Sequence, residues 1–273
     1  MISIRERGAD VITFGCPTLI ELPDIEKTAE LCRELGLKFV ELNMSFPQYQ
    51  PDALDVERLI RAAEEYGIFY TVHMDEELNP CCTNSQVAGA YVRSALESVR
   101  LAKELKIPTL NLHLLRGVYV TLPERVTYIY AENEALYLAR LREFRDAVTE
   151  AVGGSGIKIA IENTDGYDLP FLVHGLDLLL ESTAFALTFD IGHDHAIGGG
   201  DKRIIMERAE RLVHMHMHDG AGRRVHLALG DGEMALEEYL ALAQSHSCRV
   251  VLETKTVDAL KKSAAWLRER GYL

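Results

Sequence analysis

Eight short runs rich in β-branched and apolar residues recur along this chain, and longer amphipathic stretches separate them. The runs are "VITFG" (11–15), "FVELNM" (39–44), "FYTVHM" (69–74), "TLNLHL" (109–114), "IKIAIEN" (157–163), "FALTFDIG" (185–192), "LVHMHMH" (212–218) and "RVVLET" (249–254). Between them, residues 52–66 place Leu54, Leu59, Ile60 and Ala63 on one helical stripe that stops at Gly67. Residues 84–106 form a second helix ended near Pro108, and 258–270 a last one carrying Leu260, Ala264 and Leu267 before Gly271. Parallel strands can be joined only through crossovers of this kind, so the alternation predicts a parallel sheet covered by helices. No Pro-, Gly- or Ser-rich tract divides the chain, and its 273 residues suit one α/β domain spanning 1–273. A single (β/α)8 TIM barrel is the leading architecture, with its site at the C-terminal ends of the strands. An open doubly wound sheet comes second, but "FGCPTLIELP" after the first strand has a single glycine where a dinucleotide turn needs several. No nucleotide cofactor is therefore expected.

One run carries its polarity in an unusual way. In "RLVHMHMHDG" (211–220), His214, His216 and His218 fall on one face of an extended strand, while Val213, Met215 and Met217 fall on the other. The apolar face reads as packed, and the histidine face as one wall of a polar site. The last polar residue near each successive strand end is Glu41, His73, His113, Glu162, Asp190, His216 and Glu253. All strand C-termini of a parallel barrel share one rim, so residues far apart in sequence converge there. Three carboxylates and several imidazoles crowded on one rim repel and desolvate one another unless a cation sits among them. Oxygen ligands mixed with imidazole suit manganese or zinc, with cobalt or magnesium behind them. Lys255 shares the strand face of Glu253, so a plain ion pair is the simpler account of that carboxylate. No GxSxG nucleophile elbow and no GxxxxGK phosphate loop occurs.

Composition narrows the partners. The formal charge is −13, from 42 acidic against 29 basic residues, which disfavours nucleic acid and anionic lipid as default partners. Five cysteines with no CxxC spacing fit a reducing compartment. The start "MISIRERGADVITFG" has no apolar signal core, and no run is long enough to span a membrane, so a cytoplasmic protein is expected. Residues 115–133 form the longest interruption; alternating Val118, Val120 and Leu122 predict a small hairpin or lid over the mouth, or else a surface insertion.

As an ordered set, "VHMDEELN", "NLH", "IEN", "FDIGH", "HMHDG", "HLALGDG" and "LETK" resemble the xylose isomerase-like barrel superfamily over nearly the whole chain. That superfamily holds sugar isomerases, ketose 3-epimerases, dehydratases and the family 2 apurinic-site (AP) endonucleases. The resemblance implies Glu162, Asp190, His216 and Glu253 as metal ligands, with Glu162 and Glu253 also moving protons and His193 contacting substrate. His214 would point into the barrel below, and His218 would lie behind the ligands or in solvent; neither receives a role. The endonuclease pattern would add His73 and His113 with Glu162 around one further metal, and His193 with His226 around another. That last site normally includes an aspartate two residues before its final histidine, where this chain has Arg224. Arg223 or Arg224 could instead hold a substrate hydroxyl or phosphate, and His226 could bind substrate or brace its loop.

The leading expectation is a metal-dependent isomerase or epimerase of a small sugar or polyol, phosphorylated or not, working through an enediolate. A dehydratase using the same enolate, an AP endonuclease-like phosphodiesterase and a barrel that binds without catalysis are the alternatives. A homodimer is a mild expectation for a barrel of this size.

Overall fold

The computed structural model describes residues 12–164 and 166–273. Eight parallel strands close into a barrel: β1 Thr13–Pro17, β2 Phe39–Asn43, β3 Phe69–His73, β4 Thr109–His113, β5 Lys158–Glu162, β6 Phe185–Asp190, β7 Leu212–Met217 and β8 Arg249–Leu252. Closure comes from β1 against β8, with Thr13, Phe14 and Gly15 facing Arg249, Val250 and Val251. The open doubly wound sheet is thereby excluded. Val11, the first residue of the run predicted as β1, lies outside the described residues.

The connecting helices are α1 Ile25–Glu34, α2 Val56–Tyr66, α3 Ser85–Glu104, α4 Glu134–Val152, α5 Pro170–Leu180, α6 Ile191–Ala196, α7 Gly200–Met206, α8 Leu236–Ser245 and α9 Val257–Glu269. Side-chain caps set their starts more sharply than periodicity could. The stripe read from residue 52 becomes helical only at Val56, because Asp55 Oδ1 accepts the Arg58 N–H at 2.9 Å. Gly67, at φ 66°, supplies the left-handed residue that ends α2. The run read as a strand to residue 192 stops at Asp190, whose Oδ1 accepts the His193 N–H at 2.7 Å and caps α6.

Two hairpins rise from the C-terminal side. The first, Tyr119–Thr121 against Val126–Tyr128, is the one expected within 115–133. It leans on α5 through Tyr128 and Phe171, whose ring centroids are 6.0 Å apart. The second, Asp219–Ala221 against Arg224–Leu227, was not legible in advance. Behind it Asp219, 1% exposed, accepts four backbone N–H bonds, from Gly220, Gly230, Gly232 and Met234 at 2.8–3.2 Å.

The outward strand faces are apolar: Phe185 meets Phe144 of α4, Phe189 meets Tyr239 of α8, and Met215 and Met217 are fully buried. The interior departs from the usual filling of branched apolar side chains. Glu41, Thr71, Asn111, Thr188, His214 and His216 are all buried there. Phe39 plugs the floor beside Phe69 and His214, and only glycine fits opposite it, since a Cβ on Gly15 would come within 2.5 Å of its ring. Among the described residues no helix is long and apolar enough to cross a membrane.

Candidate metal centre at the barrel mouth

Register assembles the site. Asp190 of β6 lies opposite His216 of β7, and His113 of β4 lies opposite Glu162 of β5. Around His216 Nδ1 stand Glu253 Oε2 at 3.2 Å, Glu162 Oε2 at 3.4 Å and Asp190 Oδ2 at 3.9 Å. His216, Glu162 and Asp190 are at most 1% exposed, so water screens none of them well. Among the described residues neither His216 Nδ1 nor Glu253 Oε2 has a hydrogen-bond partner. Burial opposes charge throughout, yet the carboxylates of Glu162, Glu41 and Glu253 hold the His216 imidazole protonated well above its ordinary range. The converse holds for Glu162, which His216 and His113 keep ionised despite burial, and for Glu253, kept ionised by His216 and Lys255. The single positive charge of that imidazolium offsets only part of the carboxylate charge around it, which leaves an excess that a divalent cation would answer. Two orphaned ligand atoms and a mixed oxygen–imidazole donor set fit such an ion at Glu162, Asp190, His216 and Glu253.

A second set adjoins the first. His73 Nε2 and His113 Nε2 are 3.1 Å apart, and each is 3.4 Å from Glu162 Oε2. His73 Nδ1 donates to the Met74 carbonyl at 2.8 Å, which leaves Nε2 to face the cluster. Burial works against the His73 cation, but Glu162 raises its pKa to about 9. Asn111 Nδ2 donates to the same Glu162 oxygen.

His193 reaches the centre, its Nδ1 3.7 Å from Glu162 Oε1 and 3.8 Å from Asp190 Oδ2. His226, at φ 58°, turns its Nδ1 toward the Glu253 carbonyl at 3.1 Å, and burial lowers its pKa to about 4. It braces the strand end that carries Glu253. His218 is fully buried, so of the two positions expected for it the structure takes the one behind Asp190 and excludes the one in solvent. Its Nδ1 accepts the His226 N–H at 2.9 Å and its Nε2 lies 3.3 Å from Asp190 Oδ2, so both ring nitrogens are engaged and it serves as a brace for Asp190. His193, His218 and His226 lie close enough to share an ion, but His218 has no free nitrogen to give. Arg223 and Arg224 sit exposed at the tip of the second hairpin, apart from the residues lining the mouth. Sequence proximity to His216 was a poor guide there, because the hairpin carries them outward.

The mouth opens into a cavity of about 250 Å³ between the ends of β1, β2, β3 and β8. Glu41, His73 and Glu253 form its polar depth, while Leu19, Ile20 and Phe46 form an apolar side. Lys255 stands at the lip with Nζ 2.8 Å from Glu253 Oε1. The simple ion pair foreseen for this lysine is present, and the oxygen of Glu253 that faces His216 is the other one. Glu41, Asn111, Asn163 and His218 are the site residues to which sequence reasoning gave no role. Asn163 fixes the backbone of Asp190 from both sides, donating to its carbonyl at 2.9 Å and accepting its N–H at 2.8 Å.

Fold and rim together define an α/β barrel with a carboxylate–imidazole centre where such barrels keep their catalytic groups. The chain belongs to the xylose isomerase-like TIM barrel family, which it matches over residues 29–270. No curated protein sequence matches it. Among solved structures it is similar to a D-tagatose 3-epimerase-like protein, with 21% identity, TM-score 0.76, and 94% of this chain and 96% of that one covered. A 3-keto-D-glucoside 4-epimerase from E. coli gives 14% identity and TM-score 0.73, over 94% and 99% of the two chains. A family 2 AP endonuclease from Brucella melitensis gives 15% identity and TM-score 0.67, over 95% and 98%. At these identities the structural likeness speaks for the fold.

Proposed function

We propose that this chain is a divalent-metal-dependent isomerase or epimerase of a small sugar or polyol. The observation that carries the reading is His216 Nδ1, buried and unpartnered, ringed by oxygens of Glu253, Glu162 and Asp190 at 3.2–3.9 Å. An ion held by these four residues would supply electrophilic stabilisation of charge developing on a carbonyl and its neighbouring hydroxyl. Glu162 and Glu253 each keep a second oxygen, Oε1 in both, turned away from His216 toward His193 and Lys255 respectively. Standing on β5 and β8, they address a substrate carbon from two sides. One carboxylate, ionised, removes the proton beside the carbonyl, and the other, entering the step protonated, delivers its own proton to the opposite face of the enediolate. His193 stands next to Glu162 and orients a substrate oxygen. The cavity of about 250 Å³ holds the equivalent of roughly eight waters at about 30 Å³ each, a small-polyol volume. The epimerases named among the structural neighbours support this substrate class.

A second reading, a phosphodiesterase similar to the AP endonucleases, draws on the His73–His113–Glu162 set, which could hold a further ion. Arg224, where that pattern calls for an aspartate, and the charge of −13 weigh against it.

Native mass spectrometry with elemental analysis tests both. One divalent ion per chain, lost in Glu162→Ala and Glu253→Ala, together with solvent deuterium entering the carbon beside a ketose carbonyl, is the expected result. Two or three zinc ions that require His73 and His113, with cleavage of abasic-site DNA, would establish the second reading. Failure to bind any divalent ion under any loading condition would sink both.

A further inference from the structure

Below the rim lies a carboxylate that the proposed chemistry does not use. Glu41 sits in the middle of β2 and is 2% exposed. Its Oε2 accepts the Thr71 hydroxyl at 3.0 Å and lies 2.9 Å from His214 Nε2; its Oε1 lies 2.8 Å from His216 Nε2. His214 and His216 are two residues apart on β7, so both rings project into the barrel and reach one carboxylate from the same wall. Leaving an ionised carboxylate inside a barrel is costly unless donors surround it, and here Thr71 and His214 hydrogen-bond to it while His216 Nε2 approaches from a third side.

The short approaches fix where protons are. A carboxylate oxygen 2.8 Å from a ring nitrogen excludes a lone pair on that nitrogen, because two lone pairs at that distance repel. The contact from His216 Nε2 to Oε1 is too bent for a hydrogen bond, but the charge of Glu41 beside that nitrogen still favours the hydrogen there over a lone pair. In a neutral imidazole the hydrogen on Nε2 leaves Nδ1 as the atom with a free pair. Nδ1 is the nitrogen aimed at Glu162, Asp190 and Glu253. The other tautomer would point an N–H at the place where a cation belongs and set a bare lone pair against Glu41. His214 steadies the arrangement from below, its ring 6.1 Å from the Phe39 ring that Gly15 makes room for.

We propose that Glu41 is a positioning residue: its charge beside His216 Nε2 keeps the hydrogen on that nitrogen and so presents Nδ1, in one tautomer, to a divalent cation. The proposal rests on the reading of His216 as a metal ligand. It also accounts for two of the three histidines on the β7 stripe as a unit, with His216 as ligand and His214 as the second donor that holds Glu41 in place.

The test uses the full chain, stripped of metal and titrated with Co²⁺ by calorimetry and visible absorption. Glu41→Met removes the charge at similar length, and Co²⁺ affinity is expected to fall about 10- to 100-fold, with a changed d–d spectrum. Thr71→Val removes a donor to Glu41 but leaves the His216 contact, and its affinity is expected to stay within about threefold of the parent. A second measurement needs no variant: long-range ¹H–¹⁵N correlation of the imidazoles in the Zn²⁺-loaded parent is expected to show hydrogen on Nε2 of His216. A parent that binds no divalent ion would overturn the metal reading itself. A parent that binds while Glu41→Met binds equally well would overturn the role of Glu41 and leave the metal reading standing, whereas a His216 with its hydrogen on Nδ1 in the Zn²⁺-loaded parent would overturn both.

Discussion

Gly192 is the second residue of α6 and its φ is unexceptional, so alanine would be accepted there on backbone grounds. Space forbids it: a Cβ would lie 1.8 Å from His218 Cε1 and 2.3 Å from Nδ1. The ring cannot step aside freely, because Nδ1 accepts the His226 N–H and Nε2 faces Asp190. Overpacking of this kind costs about 1–3 kcal/mol, and a buried N–H that loses its acceptor about 1–3 more. Gly192→Ala is therefore expected to destabilise the metal-free chain by about 3 kcal/mol, a fall in Tm of roughly 6–10 °C at this size. His218→Ala should also destabilise, through the cavity and the orphaned His226 N–H. The double variant puts the new methyl into the space the ring leaves, so its loss should be smaller than the sum by about 2 kcal/mol. Urea unfolding of the four proteins, with linear extrapolation, measures that coupling. Additivity to within about 0.5 kcal/mol, or a Gly192→Ala chain as stable as the parent, would refute the view that this glycine exists to admit His218 beside Asp190.

Asp201 is 1% exposed and accepts the Tyr167 N–H at 3.1 Å through Oδ1; burial lifts its pKa to about 6. The folded chain thus binds this proton more tightly than the unfolded one, so the stability it confers is full below about pH 4 and lost as pH rises through 6, about 3 kcal/mol in all. Asp201→Asn lacks that step: its stability relative to the parent should rise by about that amount between pH 4 and pH 7, and a pH-independent difference in urea midpoints would contradict the assignment. Asp219→Ala strips four backbone N–H groups of their shared acceptor and should lower stability by about 3 kcal/mol, allowing for water to replace part of the loss. A calorimetric Tm unchanged from the parent would show that this carboxylate does not hold the segment from Gly230 to Met234.

How far the sequence could be read depended on what each signal encodes. Strand runs such as "IKIAIEN" and "RVVLET" were legible because barrel strands are buried on both sides and stand out from amphipathic helices. The rim was legible for a topological reason: all parallel strands end on one side, so the last polar residue of each run is a candidate wherever it lies in the chain. Depth was not legible. Glu41 belongs to the same set by that rule, yet it stands in the middle of β2, two residues before the strand ends at Asn43, and meets His216 from below. Its pairing with His214 spans 173 residues and leaves no local trace. Arg223 and Arg224 show the opposite, since the hairpin after β7 carries two residues close to His216 in sequence to an exposed tip. The position of His218 depended on Gly192, on another element, having no side chain. Period-two alternation says which face a residue takes; which level of the barrel it reaches, and what it meets there, is decided by the register of strands it never neighbours in sequence. The residues that gather at this rim were therefore open to prediction, while those that brace them from below and behind were not.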